Sequence, residues 1–563
     1  VDWERTMTRA INTGAVVFSS LLVLLPLGAV IYGAFQTGIP GDPTTSFTLG
    51  NVAAILREPT FHRSIMYTAL ISGLVTVLAV AYGAALAWII ARTNVPLKPW
   101  LENLITVNNY IPPFVGAVAW IALGAPVSGF LNILWRTITG STQPLFSIYS
   151  LGGIVWTMFL FYVPYAFLYT IGAFRALDPS LEEAAAVHGA RGWVVLRTIT
   201  LPLVKPALVS AAVLVFVLSA ELFSIPGLLG GPVGIQTLAY RILLAIWNSP
   251  PRWPLASAAG LVLLVICLIG IYFYRRSVRD ERRFITVTGK AYRPRPIDLG
   301  PWRWLAALFC WVYILFGVIL PLGAIGLGSL MTFFAPVFRP EFISVRNWVR
   351  VLNEGLTMRA LQNTTLLAII TPTIVLALAL LLTYLIVRVK IQGRGVLDYL
   401  LTLPVAIPGI VFAMGMVWVY VRTPVYATIW ILLLAFVTKF IPQGIRNLNS
   451  AFLQIHPELE ECSATVGANQ WRTLWDITRP LLQPTILATW VLIFVSTVRE
   501  LSASVMLYTA RSTTLSVLIW DYLDSGEYTL AMVLCVMQVA LILAIVLLAR
   551  RLLRIGMARQ EPG

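Results

Sequence analysis

The sequence predicts an all-α polytopic membrane protein with about twelve transmembrane helices in two parallel, pseudo-two-fold-related halves. Three observations carry that prediction. Of the 563 residues 58% are hydrophobic and only 11% charged, against roughly 25% charged in a soluble domain. Apolar stretches of about 20 residues, long enough to cross a bilayer, recur from one end of the chain to the other. The second half of the chain also repeats landmarks of the first at near-constant spacing.

The spans read as approximately 15–36, 64–92, 103–124, 150–172, 203–222, 255–275, 303–330, 361–388, 397–421, 426–447, 485–505 and 527–550. No sizeable soluble domain fits between them. Pro112, Pro113, Pro404 and Pro408 fall inside spans, where neighbouring helices can satisfy the backbone groups that proline frees. Cys267, Cys310, Cys462 and Cys535 have neither paired nor metal-ligand spacing, so no disulfide framework is expected.

The formal charge of +16 does not point to nucleic acid, because the basic residues sit in loops and are not interleaved with exposed aromatics. With the amino terminus placed inside, cytoplasmic segments hold most Lys and Arg, which puts both termini in the cytoplasm. The first span follows Arg5 and Arg9, is long and lacks a convincing cleavage site, so it is expected to be a retained helix.

Tyr67-Thr68 aligns with Asn363-Thr364, Ala91-Arg92 with Val387-Arg388, Leu101 with Leu397 and Ile111-Pro112 with Ile407-Pro408, all at an offset of 296. Further on, Ala173-Phe174 aligns with Ala451-Phe452, Glu183 with Glu461, Gly189 with Gly467 and Pro202 with Pro480, at an offset of 278. The 18-residue difference is an insertion in the first half around 124–150. Six spans separate the copies, so the repeats are parallel. The chain divides into a first half, 1–280, a basic cytoplasmic linker, 281–302, and a second half, 303–563. The linker is expected to lie solvated near anionic headgroups.

Between the fourth and fifth spans of each half lies a polar segment, 178–202 and 456–480, on the cytoplasmic side. In the first, Asp178-Pro179-Ser180 is a helix start, and Glu182 and Glu183 suit the positive end of the helix dipole. The helix should end near Val187, where Gly189 permits a sharp reversal into a second helix carrying Trp193, Val194, Leu196 and Ile199. The second segment keeps Pro457, Glu460, Glu461, Gly467, Trp471, Leu474, Ile477 and Pro480 in matching places. An amphipathic helix lying on lipid is the competing explanation of one such loop; two at matching positions of a repeat argue against it.

Glu183-Ala184-Ala185, Gly189, Ile199 and Leu201-Pro202 match the EAA signature of binding-protein-dependent ATP-binding-cassette (ABC) importer permeases without a mismatch. The second copy is degenerate, with Cys462-Ser463 for the two alanines and Arg479 for the leucine. The resemblance covers nearly the whole chain, and the fusion of two six-span halves is similar to the ferric-iron, thiamine and aminoalkylphosphonate permease branch. It implies the type I ABC importer permease fold in the bacterial inner membrane. It also implies docking of two copies of a cytoplasmic ATPase on Glu182, Glu183, Ala184, Ala185, Gly189, Ala190, Ile199 and Pro202, and on Glu460, Glu461, Gly467, Ala468, Ile477 and Pro480. A soluble or lipid-anchored solute-binding protein would deliver cargo to the outer loops, 37–63, 124–150, 223–254, 331–360 and 506–526. Ferric iron is the first expected cargo; thiamine, an aminoalkylphosphonate, a polyamine or another small organic solute are alternatives.

No G-x-x-x-x-G-K-[ST] loop occurs, and the only Gly-Lys pair, Gly289-Lys290, is followed by Ala291. Hydrolysis of ATP is therefore expected on the separate subunit, which would also hold the Mg, and no cofactor is expected on this chain. Ionisable residues inside the membrane are functional candidates, and Glu221, Arg499 and Glu500 end the fifth spans. With Ser224, Asn109, Tyr110, Pro112 and Pro408 they are the expected gate or pathway residues; structural polar contacts between helices explain them equally well. Asn108 and Asn109 are also plausible caps of a broken helix. His188 reads as a packed loop residue, since no second ligand stands at metal spacing. A secondary transporter built from parallel six-helix halves is the rival mechanism, but it leaves the paired loops unexplained.

Overall fold

A chain this apolar satisfies its backbone inside a bilayer by forming helices. The structure, a computed structural model, describes residues 2–190, 192–281, 296–335, 337, 339–389, 393–456, 458–465 and 467–558. Among them β-structure is limited to isolated bridges, such as Gln36 with Phe47 and Met331 with Ile343.

The first half contains α1 (Asp2–Ala34), α2 (Pro59–Arg92), α3 (Lys98–Val107), α4 (Pro113–Gly124), α5 (Leu151–Arg175), α6 (Pro179–Val187), α7 (Leu201–Glu221), α8 (Ser224–Gly230), α9 (Leu238–Trp247) and α10 (Trp253–Glu281). The second contains α11 (Gly300–Ser329), α12 (Gly355–Tyr384), α13 (Arg394–Thr402), α14 (Gly409–Tyr420), α15 (Ile429–Phe452), α16 (Glu458–Thr465), α17 (Arg479–Val498), α18 (Ser504–Leu507), α19 (Leu515–Asp524) and α20 (Tyr528–Ala558).

Ten of the expected spans are single helices long and apolar enough to cross a membrane. The other two, 103–124 and 397–421, are broken. The axis turns by 100° between Lys98–Tyr110 and Pro113–Gly124 and by 109° between Arg394–Ala406 and Gly409–Tyr420. Pro112 and Pro408 cause the breaks: their backbones are extended, with ψ of 141° and 136°, and neither can donate to a preceding carbonyl. A third bent pair, Ser224–Val233 and Leu238–Trp247 at 77°, replaces the expected outer loop 223–254. Most of α8 is buried, as is Leu515–Trp520 of α19 in the expected loop 506–526. Much of these two segments is therefore inside the protein, packed between spans. The span expected at 485–505 ends earlier, at Val498, which leaves Arg499 and Glu500 in irregular chain.

The repeat is visible in matched contacts. Thr68 Oγ1 accepts from the Leu238 amide at 2.8 Å, and Thr364 Oγ1 accepts from the Leu515 amide at 2.8 Å. Each threonine on the long second helix of its half thus satisfies one of the free N–H groups at the start of a buried helix.

The halves are interlocked. α1 packs on α14 of the opposite half as well as on α10 of its own, and α11 packs on α4 of the opposite half as well as on α20. Small residues allow the close approach: a Cβ on Gly415 would stand 2.2 Å from the Pro26 carbonyl oxygen, and one on Gly33 would stand 2.4 Å from the Trp418 ring. On the other side, Tyr313 Oη donates to the Leu160 carbonyl at 3.0 Å, and Tyr82 stacks on Phe309 at 4.2 Å. One buried core runs through both halves as a result.

Most of the linker, 282–295, lies outside the described residues. Its end is tied to the first half, where the Ile297 amide donates to the Arg92 carbonyl at 2.7 Å and the Asn94 amide donates to the Ile297 carbonyl at 3.2 Å.

Candidate functional site

The two polar loops fold alike. Helix α6 starts at Pro179, and Asp178 Oδ1 accepts from the Ser180 amide at 2.9 Å. That bond holds the Asp178 carboxyl below its ordinary range. Just past the last helical residue, Val187, Gly189 has φ of +79°, which suits a residue without a Cβ. The Ala190 amide then closes back on the Ala185 carbonyl at 3.0 Å. In the second loop Gly467 has φ of +84°, and the Ala468 amide donates to the Ser463 carbonyl at 3.2 Å. Both reversals are therefore Schellman-type helix ends placed by glycine. Pro457 is outside the described residues.

The sequence reading assigned both glutamates of each loop to the ATPase, and the structure separates them. Glu182 pairs with Arg92 at the end of α2, and Thr200 Oγ1 donates to Glu182 Oε1 at 2.7 Å. Glu460 lies 3.1 Å from Arg388 Nε, and Thr478 Oγ1 donates to Glu460 Oε1 at 2.8 Å. Arg388 also donates to the Phe452 and Ile455 carbonyls at 3.2 and 2.8 Å, and Arg92 to the matching Leu177 carbonyl at 3.4 Å. Glu182 and Glu460 are thus turned inward, each holding its short helix to the end of a long membrane helix and to the segment leading into the next.

Glu461 is exposed; Glu183 lies on α6, with its side chain outside the described ones. Ala184 is exposed, while Ala185, Ala190, Ala468, Ile199 and Ile477 are half-buried and Pro202 and Pro480 are exposed. Val187 is 84% exposed and Trp193 69%, so the first loop turns apolar side chains away from its own half. His188 is exposed too, not packed as expected.

The departures in the second loop have local partners. Ser463 is buried and its hydroxyl lies 3.0 Å from that of Thr473, a bond that alanine cannot make. The Arg479 guanidinium stands 4.8 Å from the Trp475 ring centre, a cation–π contact.

A second constellation lies between the halves. Lys439 Nζ is 2.8 Å from Glu500 Oε2, and Glu500 Oε1 accepts from the Ala503 amide at 2.9 Å. Glu221, at the end of α7, lies within electrostatic reach of Lys439 and Glu500 and close to the Gly409 backbone. Arg499 does not pair with Glu500; it donates to the Asn109 carbonyl at the break after α3. Asn109 Oδ1 is buried with no hydrogen-bond partner. Asn108, by contrast, is a structural residue, donating to Leu160 and Tyr313 at 2.8 and 3.2 Å.

Among the expected pathway residues the structure therefore brings together Glu221, Glu500, Arg499 and Asn109, with Pro408 immediately before Gly409. Pro112 shapes the neighbouring break; Tyr110 packs against the core near Val495, and Ser224 is buried at the start of α8. Sequence reasoning missed Lys439, although a lysine near the middle of an apolar span is itself the signal. It also missed Arg92 and Arg388, which stood aligned in the repeat without a role.

Over residues 83–283 and 348–559 the chain matches the family described as binding-protein-dependent transport system inner membrane component. It is 27% identical over 535 residues, 93% of this chain and 75% of the relative, to a ferric transport system permease protein of Actinobacillus pleuropneumoniae. It is 28% identical over 500 residues, 87% of this chain and 76% of the relative, to a putative ferric transport system permease protein of Haemophilus influenzae. A putative 2-aminoethylphosphonate transport system permease protein of Salmonella paratyphi A is 26% identical over 221 residues, 37% of this chain and 83% of the relative. Two matched regions of one family, two interlocked helical halves and two loops that fold alike agree, and the secondary-transporter alternative falls away. The chain belongs to the binding-protein-dependent inner membrane component family, as a multi-pass ABC importer permease with both membrane halves fused in one polypeptide.

Proposed function

We propose that this permease carries ferric iron across the inner membrane. A soluble binding protein delivers the iron, and two copies of a cytoplasmic ATPase, docked on α6 and α16, drive the transport. The observation that carries the coupling half of this reading is the repeated Arg–Glu–Thr clamp, Arg92–Glu182–Thr200 and Arg388–Glu460–Thr478. A short helix tied by a largely buried ion pair to the end of one membrane helix, and by a threonine hydrogen bond to the start of the next, moves with them. Closure of an ATPase dimer beneath the two loops would therefore displace both halves. ATP and Mg belong to the ATPase, and both termini of this chain lie in the cytoplasm, on the side of the loops.

Iron as the cargo is supported by the names of the ferric relatives and by carboxylate and amide oxygens at the boundary of the halves, the donor type that hard cations take. The relative named for 2-aminoethylphosphonate keeps that solute as the second reading; thiamine and polyamines remain further alternatives. The deciding experiment identifies the ligand of the cognate binding protein and then follows its uptake into vesicles holding the complete transporter. Iron bound and accumulated with ATP supports the reading. An organic ligand without iron binding overturns the cargo and leaves the permease role intact.

A further inference from the structure

Both proline breaks converge on one charged cluster near the middle of the membrane. Lys439 is the eleventh of the 24 residues of α15, which places it about 15 Å along the helix, half of a hydrocarbon core of about 30 Å. Around it stand Gly409, which opens α14 after the 109° break, Glu221 at the end of α7, and Glu500 just past α17. The 100° break contributes Asn109, held to the same region by Arg499. The first half supplies Glu221 and Asn109; the second supplies Gly409, Lys439, Arg499 and Glu500. In secondary transporters, broken helices at the boundary between repeats form the solute site, because the freed backbone groups there face a cavity; the two breaks here share that placement.

The cluster is not symmetric. The carboxylates match between the repeats, Glu221 with Glu500, but the position aligned with Lys439 in the first half is Phe161. The ammonium fits because position 409 has no side chain: a Cβ there would lie 2.6 Å from Lys439 Nζ. Two carboxylates in this environment need a positive charge between them, and the lysine is a charge the chain itself supplies on a flexible stem.

We propose that Glu221 and Glu500 form a cation site on the solute pathway, and that Lys439 is its tethered counter-ion, holding the site closed until a cationic cargo displaces it. The Asn109 amide oxygen, buried and unpartnered, is a third donor for that cargo. Among the described residues no group of three or more His, Cys, Asp or Glu is placed to hold a metal, so the site is a waypoint for a hard cation in transit, with no resident metal centre. This inference rests on the reading of the chain as an importer of a cation.

The test uses the complete transporter, permease with its ATPases, in lipid nanodiscs, with terbium(III) as a hard trivalent probe. Lys439→Met removes the competing ammonium and leaves the carboxylates, so it should bind terbium about tenfold or more tighter than the unaltered chain, and Glu221→Gln added to it should abolish the gain. Equal binding by the two chains, or a gain that survives both Glu221→Gln and Glu500→Gln, overturns the proposal. Should Lys439→Met fail to assemble, Glu221→Gln alone decides, because the Lys439–Glu500 pair remains. Uptake of radiolabelled ferric iron from its binding protein should fall about tenfold with both ATPases still co-purifying, and Glu221→Asp should restore part of it. Undiminished uptake overturns the proposal. An unaltered transporter that takes up no iron at all defeats the cargo reading separately, since the terbium titration still reads the cluster.

Discussion

Arg388 Nε lies 3.1 Å from Glu460 Oε2 in a pair that is 14% and 12% exposed, and Arg92 with Glu182 repeats it in the other half at 2% and 14%. Each arginine stands at the end of a long membrane helix, and each glutamate on the short helix beside it. Removing one partner of such a pair leaves a buried charge uncompensated, a cost of about 3–5 kcal/mol.

Arg388→Ala is therefore expected to weaken the seating of α16 more than a surface substitution does. ATP-driven uptake should fall about tenfold or more, and the exchanged pair Arg388→Glu with Glu460→Arg should recover part of it. Arg92→Ala should act alike on α6. Uptake and binding-protein-stimulated ATP hydrolysis, measured on the same membranes, check this; full activity in both alanine variants contradicts a coupling role for the clamps.

Gly189 and Gly467 hold φ of +79° and +84°, where an L side chain costs about 1–2 kcal/mol. Gly189→Ala should leave a weakened but working loop. Gly189→Pro, whose ring fixes φ near −65°, should remove coupled transport while the chain still reaches the membrane. A transport-competent Gly189→Pro variant would show that the reversal is not needed for coupling.

The loops are unequal in composition, and the second compensates with the Ser463–Thr473 bond and the Arg479–Trp475 contact. Glu183→Ala and Glu461→Ala, made separately, are expected to reduce coupled ATP hydrolysis unequally. Equal losses would argue against functional asymmetry and leave the importer assignment untouched.

The exchange of α1 and α11 predicts that the halves hold together without a covalent joint. Co-expressed as 1–280 and 303–563, they should co-purify, and Gly415→Val, which must push α1 off at the Pro26 carbonyl, should weaken that association. Cutting the linker without loss of assembly supports placing the half boundaries there; separation of the two pieces in mild detergent contradicts the interlock.

Membrane class, the two halves and the paired loops were legible in the sequence because each depends on local pattern. A span is a run of apolar residues, a helix end is a glycine at a fixed place, and a repeat is a constant offset. These properties survive with no knowledge of what touches what. The same reading placed single spans at 103–124 and 397–421, with a helix break only as one explanation of Asn108 and Asn109, and outer loops at 223–254 and 506–526, because hydropathy registers burial but not direction. It could not tell that Pro112 and Pro408 turn the chain through 100° and 109°, or that the segments after Glu221 and Glu500 fold inward.

Partnership was decided by the tertiary structure alone. Glu182 and Glu183 are neighbours of one chemical type, and only the position of Arg92 assigns Glu182 to the interior. Likewise Lys439 and Glu500 are 61 residues apart and meet at 2.8 Å. The sequence fixes which charges the membrane must hold. Their pairing follows from helix packing, because a charge in a low-dielectric interior is tolerated only where the folded chain brings its counter-charge within reach.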